Sequence, residues 1–388
     1  MAHTDSKQWE TCHKWLEISR KALRHNAAAL KSRLQPATRL CAVIKSNAYG
    51  HGMPGVASTI ADRCDFFAVH EMAEARQLLQ TTDRLPVLLL GPLEERHMEE
   101  AVAAGLHVTV YRRQDILGLA QAAAKLGKPA DLHLKIDTGT SRQGILPHEL
   151  PSYLALFAEC RYARLTGVSM HFANIEDTFE RSYAKQQLQR FHQALAQARS
   201  MGFQPALIHS ACSAATLLFA ETHFNMVRTG ISLYGLWPSK ETFISFREQN
   251  GDVLALEPAL AFKSRIIQLK TIAENTPVGY GCTFITPRRT RLAVIPVGYS
   301  DGYSRCLGNR ANVLVRGKYA RVVGRVCMNL SMLDVTDIPG VAEGDVVVLI
   351  GKQGDKRIPV EALAALSGTI NYEVTTRLNP ALPRFFVD

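Results

Sequence analysis

The sequence predicts an α/β protein in two parts, an N-terminal (β/α)8 barrel of the TIM type followed by a mostly-β C-terminal domain. Three observations carry that expectation. The chain has 388 residues, and at roughly 100–200 residues per domain this makes room for two or three cores. Up to about residue 235, eight short apolar runs alternate with longer amphipathic stretches. Beyond about residue 240 the alternation gives way to strand-like runs cut by Gly, Pro and Asn turns.

In chain order the eight runs are LCAVIK (40–45), DFFAV (65–69), PVLLL (86–90), HVTVY (107–111), DLHLKID (131–137), LTGVSM (165–170), ALIHS (206–210) and NMVRTG (225–230). Between them, 71–80, 113–126 and 180–201 read as helices, the last with Tyr183, Leu188, Phe191 and Leu195 recurring at helical spacing. Eight strand–helix units in ~250 residues favour a closed barrel over an open doubly wound sheet. The open sheet would also show a glycine fingerprint after its first strand, and no G-x-G-x-x-G follows LCAVIK. Segment 238–258 reads as the linker. The runs AFKSRIIQL, RLAVIPVGY, ANVLVRG, YARVVGRVC, LSMLDV and DVVVLIG then predict a second, β-rich domain with one short helix at 360–368. The expected domains are 12–240 and 250–388, with the first eleven residues packing on the second.

Composition excludes several classes. Hydrophobic residues make up 47% and charged residues 21%, the balance of a globular chain and not of a disordered or collagenous one. No apolar run approaches the ~20 residues that span a bilayer, and the polar start MAHTDSKQWE lacks a signal-peptide core, so a cytoplasmic protein without membrane partners is expected. The eight cysteines form no C-x-x-C pair and no zinc-like spacing with histidine, which predicts free thiols and no metal site. The net charge of +10 is scattered and no nucleic-acid motif accompanies it; it suits anionic small molecules or solubility.

Lys45 ends the first barrel run, where strand C-termini open onto the catalytic face of such barrels. Two readings stand for it, a Schiff-base lysine or a rim lysine reaching solvent. From the residues alone, Arg228 reads as the partner of a buried carboxylate and His171 as a structural histidine. Met328 reads equally as core and Tyr299 as a strand tyrosine with its hydroxyl at the surface.

The stretch AVIKSNAYGHG (42–52) closely resembles the cofactor-lysine motif of bacterial alanine racemases, fold-type III enzymes that use pyridoxal 5′-phosphate (PLP). Further matches follow in order: KIDTGTSRQGI, MHFA, HSACSAATL, MVRTGISLYG, VGYGCTF, VGYSDG, GRVCMNLSMLDVT and INYEV. The resemblance implies a PLP-binding barrel, a β domain and a homodimer with composite sites. It implies that Lys45 carries PLP and acts as one base, and that Tyr280 from the other subunit acts as the second. Tyr49, Ser213, the backbone at Gly230 and Ile231, and Tyr372 would hold the phosphate, and Arg228 the pyridine nitrogen. Independently of the resemblance, Ser213 and Gly230–Ile231 follow the seventh and eighth runs, where barrels commonly bind phosphate. His171 would lie near the ring and relay protons. Arg142 would bond the phenolic oxygen and the substrate carboxylate, Met328 and Tyr299 would complete the carboxylate clamp, and Lys135 would match a lysine carbamylated in many relatives. Two positions depart from the family pattern, Cys212 where Asn commonly precedes the serine and Asn329 where Asp commonly follows the methionine. The implied activity is alanine racemisation supplying D-alanine for peptidoglycan. A racemase of broader or different specificity, such as serine or lysine, and a non-catalytic PLP-binding protein are the alternatives.

Overall fold

Eight parallel strands build the first unit of the chain, and antiparallel strands dominate the second. The computed structural model describes residues 8–82, 84–251 and 254–388. One unit comprises Leu23–Ala48 and Met53–Glu257; the other comprises Pro258–Asp388, Tyr49–Gly52 and the described residues up to Ala22. Among the described residues, no helix is long and apolar enough to cross a membrane.

Strand β1 (Lys14–Ser19) belongs to the second unit. The barrel strands are β2 (Arg39–Val43), β3 (Phe66–Val69), β4 (Val87–Leu89), β5 (His107–Val110), β6 (Ala130–Lys135), β7 (Ala163–Ser169), β8 (Leu207–His209) and β9 (Met226–Thr229). Each overlaps one of the eight apolar runs, with β2, β6 and β7 starting one or two residues before theirs. They pair in parallel in the order β8-β7-β6-β5-β4-β3-β2-β9, a nearly closed TIM-type barrel. At the remaining seam a side chain replaces the ladder. Asn225 Nδ2 donates to Ala206 O at 2.8 Å and its Oδ1 accepts from Ile208 N at 2.7 Å, while Arg228 N donates to Ala211 O at 2.9 Å.

Two sequence expectations change here. The segment read as a linker holds a helix, Lys240–Asn250, started by Ser239, whose hydroxyl accepts from Thr242 N at 3.0 Å. It is anchored by Phe246, whose ring lies 5.3 Å from that of Trp237. In helix Ser182–Ser200 the buried face is Ala184, Gln187, Phe191, Ala194, Leu195 and Ala198, and Tyr183 is exposed. A polar residue takes a core position because its amide is satisfied: Gln187 donates to His171 O at 3.2 Å and accepts from Ala173 N at 2.9 Å. Tyr183 instead donates to Gly139 O at 2.8 Å.

The second unit adds β10 (Leu260–Arg265), β11 (Gln268–Ile272), the hairpin β12 (Pro277–Val278) and β13 (Phe284–Ile285), β14 (Thr290–Ile295), β15 (Asn312–Val315), β16 (Lys318–Val323), β17 (Ser331–Asp334), β18 (Val346–Gln353), β19 (Lys356–Ile358) and β20 (Arg384–Val387). Their main sheet runs β11-β14-β17-β16-β15-β18-β10-β1-β20. Strand β1 pairs antiparallel with β10 and parallel with β20, burying Trp15, Leu16 and Ile18. That pairing is why the first unit starts at Leu23 and not at the residue 12 drawn from sequence texture. Residues 1–7 of the N-terminal segment expected to pack here lie outside the described residues.

Candidate active site

Beyond β2 the chain passes through Lys45 and makes one left-handed turn, with Ser46, Asn47, Ala48 and Tyr49 at φ 53, 52, 53 and 53°. None of these is glycine, so the turn costs roughly 1 kcal/mol or more per residue and must be held by its surroundings. The carboxylate of Glu74 accepts from Ser46 N and, at 2.7 Å, from His70 N. Asn47 Oδ1 accepts from Met53 N at 2.9 Å. Burial, with Arg142 adding repulsion, pushes the Lys45 ammonium below its usual range, and Glu74 offsets only part of this. Neither the turn nor the bracket by Glu74 was visible in the apolar pattern.

Lys135 ends β6. Burial first, then Arg228 and Arg142, lowers its amine to about 8, and Nζ donates to Gln143 Oε1 at 3.3 Å. The loop after it is organised by Asp137. Burial alone would raise this carboxyl, but donation from the backbone of Gly139, Ser141, Thr140 and Arg142 outweighs it and holds the group ionised. The loop closes where Asp137 N donates to Ile145 O at 2.8 Å. Gly144, at φ 132°, is required there, since a Cβ would stand 2.5 Å from Asp137 N. Arg142 emerges from this loop with an exposed side chain.

Arg228 lies inside the barrel, 8% exposed. Its terminal nitrogens donate to His209 O at 2.9 Å, Met170 O at 2.8 Å and Ser210 O at 3.3 Å, and to His209 Nδ1. No carboxylate pairs with it among the described residues, so the reading of Arg228 as half of a buried ion pair falls. Burial lowers its proton affinity without abolishing its charge. His171, 3.4 Å from an Arg228 nitrogen, is pushed well below the usual histidine range by burial and by Arg228, Lys135, Arg142 and Lys45. Those four cations therefore converge on one neutral imidazole beyond the barrel strand ends.

Ser213 opens a short helix, Ser213–Leu218, after β8. Its Oγ accepts from Gly230 N at 3.0 Å and Ser232 N at 3.4 Å, which joins Ser213 to the Gly230–Ile231 turn as the sequence placed them. Next to it, the hydroxyls of Ser232 and Thr229 are fully buried with no hydrogen-bond partner among the described residues. Such groups cost about 1–3 kcal/mol each unless something completes them. Cys212 is the cap residue of the helix, but its thiol makes no capping bond, and burial keeps it protonated by raising its pKa.

The remaining expected residues sit in the second unit. Tyr49 lies 6.1 Å, ring to ring, from Tyr372 of helix Asn371–Thr376. Tyr299 and Met328 are brought together: Tyr299 N donates to Cys327 O and Ser300 N to Met328 O, both at 3.0 Å. Gly298 permits this approach, because a Cβ there would stand 2.2 Å from Cys327 O. Asn329 donates to Ser300 Oγ at 2.7 Å. Tyr280 rides on the β12–β13 turn between Gly279 (φ 71°) and Gly281 (φ 73°), 74% exposed.

A barrel that part-buries Lys45 and Lys135 at its strand ends and buries the Arg228 guanidinium inside with no carboxylate partner among the described residues, carried on one chain with a β unit of this topology, fits an enzyme of the amino-acid racemase class. The comparisons with known proteins give the family. Residues 18–238 match the alanine racemase N-terminal domain and residues 259–386 the alanine racemase C-terminal domain. The chain is similar to an alanine racemase of Syntrophobacter fumaroxidans, 43% identical over 363 residues, 93% of this chain and 94% of that one. Among solved structures it resembles alanine racemase of Clostridium difficile 630, with TM-score 0.90, 31% identity, and coverage of 97% and 96%. It also resembles an alanine racemase from Bartonella henselae with covalently bound pyridoxal phosphate, with TM-score 0.84, 27% identity, and coverage of 97% and 100%. The chain belongs to the alanine racemase family.

Proposed function

We propose that this enzyme interconverts L- and D-alanine with PLP, as a cytoplasmic homodimer with composite sites, and so supplies D-alanine for peptidoglycan. The observation that carries the reading is the cluster of Lys45, Lys135, Arg142 and Arg228 around neutral His171, a concentration of positive charge suited to a ligand bearing phosphate and carboxylate. The buried hydroxyls of Ser232 and Thr229 beside Ser213, unpartnered among the described residues, fit a phosphate, which offers acceptor oxygens to them. The residues present therefore suit PLP. Lys45 would hold it, Tyr49, Ser213, Gly230, Ile231 and Tyr372 would hold its phosphate, and Arg228 its ring nitrogen. When bound, PLP supplies a conjugated ring that makes the α-hydrogen of an attached amino acid acidic.

The protein's own task is to move that proton between faces. Lys45, whose ammonium is pushed below its usual range by burial, takes or returns the proton on one face. Tyr280 of a second subunit serves the other through its hydroxyl. Arg228 donates only, so it would hold the ring nitrogen of PLP without giving up a proton, a contact that would favour proton exchange over side reactions. Arg142, with Met328 N–H and Tyr299 from the second subunit, orients the substrate carboxylate. Lys135, at about 8, has enough neutral amine to add to CO2, forming an N–C bond and losing one proton. The resulting carbamate would anchor Arg142; a carbonyl signal from protein equilibrated with 13C-bicarbonate, absent in Lys135→Met, tests it.

Proton NMR of L-alanine in deuterated water with enzyme and PLP, with chiral analysis of the same sample, tests the whole reading. Loss of the α-proton signal with appearance of D-alanine is expected. An unchanged α-proton signal with alanine, serine and lysine alike would reject it.

A further inference from the structure

Barrel interiors are normally filled by branched aliphatic side chains, yet three histidines line up inside this one. His107 opens β5, His133 lies within β6 and His209 ends β8. His107 Nδ1 is 3.0 Å from His133 Nε2, and His133 Nδ1 is 2.8 Å from His209 Nε2. His209 Nδ1 faces the Arg228 guanidinium. The chain has been given space. Gly167 stands opposite His133 in β7, and a Cβ there would lie 2.3 Å from His133 Nδ1.

Elementary hydrogen-bond chemistry fixes every proton in this row. A guanidinium has N–H groups and no acceptor, so His209 must accept at Nδ1 and carry its proton on Nε2. His133 must then accept at Nδ1 and carry its proton on Nε2, and the same step assigns His107. We propose that His107, His133 and His209 form a one-way chain of neutral imidazoles that positions Arg228 without neutralising it. A carboxylate in the place of His209 would hold the arginine as well but would cancel its charge. A neutral acceptor, polarised by the next imidazole behind it, aligns the guanidinium and leaves that charge for the ligand. The chain's electrostatic surroundings agree with neutrality. Arg228 and Lys135 bear on His209, Arg39 and Arg164 on His107, and Asp131 opposes them at His107 and His133; burial is the largest cause of each lowered pKa, bringing His133 to about 3.

This inference rests on the reading of Arg228 as the residue facing the PLP ring nitrogen, and the test separates the two. In protein labelled with 15N-histidine and free of PLP, two-bond proton–nitrogen correlations read each tautomer. All three imidazoles are expected neutral with the proton on Nε2, unchanged from about pH 8 to about pH 6, across the ordinary histidine value of about 6.5. A proton on Nδ1 of His133 or His209, or a charged ring in that range, overturns the chain even if alanine racemises normally. In the holoenzyme, His133→Phe should lower kcat about tenfold with KM changed less than about twofold, and His133→Gln, which keeps an acceptor and a donor, should recover to within about threefold. His133→Phe turning over like the wild type, or His133→Gln no better than Phe, overturns the positioning role. If His133→Phe does not fold, His133→Gln and the wild-type tautomers still decide. If the wild type exchanges no α-proton, the function fails while the tautomer assignment stands or falls alone.

Discussion

In the barrel unit Arg228 is 8% exposed, His209 1% and His133 is fully buried, whereas in the β unit Tyr280 is 74% exposed, Met328 56% and Tyr299 42%. The barrel unit desolvates charge, and Lys45, Lys135, His171 and His209 are driven toward their neutral forms. The β unit presents aromatic and thioether side chains to water, held in place mainly by glycines that allow close backbone approach. The difference teaches that the two halves are completed in different ways. A buried cationic cluster costs stability until an anion occupies it. Exposed large apolar groups on rigid turns cost little alone and gain when another surface covers them.

Breaking the barrel half should have the larger effect. Lys45→Ala is expected to lower kcat/KM by about 10⁴-fold or more, since it removes both the covalent tether and one base; near-normal turnover would refute its assignment. Tyr280→Phe should cost on the order of 10²-fold to 10³-fold, and the loss of deuterium exchange should differ between L- and D-alanine. Equal losses would argue against one base per face. Mixing the two variants sharpens the comparison further. If each site takes Lys45 from one subunit and Tyr280 from the other, random reassortment leaves about a quarter of sites intact. No recovery after unfolding and refolding the mixture together would place both residues in the same subunit's site.

Much of this was legible in the sequence where hydrophobic period decides structure. Each barrel strand overlapped a short apolar run, and helix Arg113–Leu126 matched its period because Ile116, Leu119, Ala122 and Ala123 face the core. Where hydrogen bonding overrides hydrophobicity the pattern failed. Gln187 is buried because two backbone groups need it, Tyr183 is exposed because Gly139 O accepts its proton, and Lys240–Asn250 looked like a linker because few of its residues are apolar. The ordered motifs pointed to Lys45, Lys135, Arg142 and Arg228. Asp137, which holds Arg142, lies within the same motif, whereas Glu74 and the histidine row come from separate segments and leave no local period. The signal for the row was present but unread, as histidines at 107, 133 and 209 inside three barrel runs.

The burial of neutral histidines in the barrel unit predicts a pH dependence of stability. His107, His133, His171 and His209 titrate lower in the folded chain than the ordinary value. The unfolded chain then binds more protons, so stability is fully present above about pH 6.5 and is lost as pH falls below it, by about 1.4 kcal/mol per pH unit for each histidine involved. Urea titrations at falling pH should show this slope, and His107→Gln should reduce it. A flat profile between about pH 7 and about pH 5 would mean that these rings charge without unfolding cost.

The smallest expected effect separates two serines, one in each unit. Ser232 Oγ in the barrel unit is buried without a partner, whereas Ser300 Oγ in the β unit donates to Met328 O at 2.8 Å and accepts from Asn329 at 2.7 Å. Removing an unsatisfied buried hydroxyl relieves a desolvation cost, so Ser232→Ala should raise the melting temperature of the PLP-free protein by a few degrees. If a phosphate completes that hydroxyl, the same change should weaken PLP binding about tenfold, read by equilibrium dialysis. Ser300→Ala should do the reverse, lowering the PLP-free melting temperature slightly and leaving PLP affinity unchanged. Stability and affinity moving in opposite directions for Ser232 alone would mark it as a group kept unsatisfied for a ligand. Unchanged PLP affinity in Ser232→Ala would instead place the phosphate away from this turn.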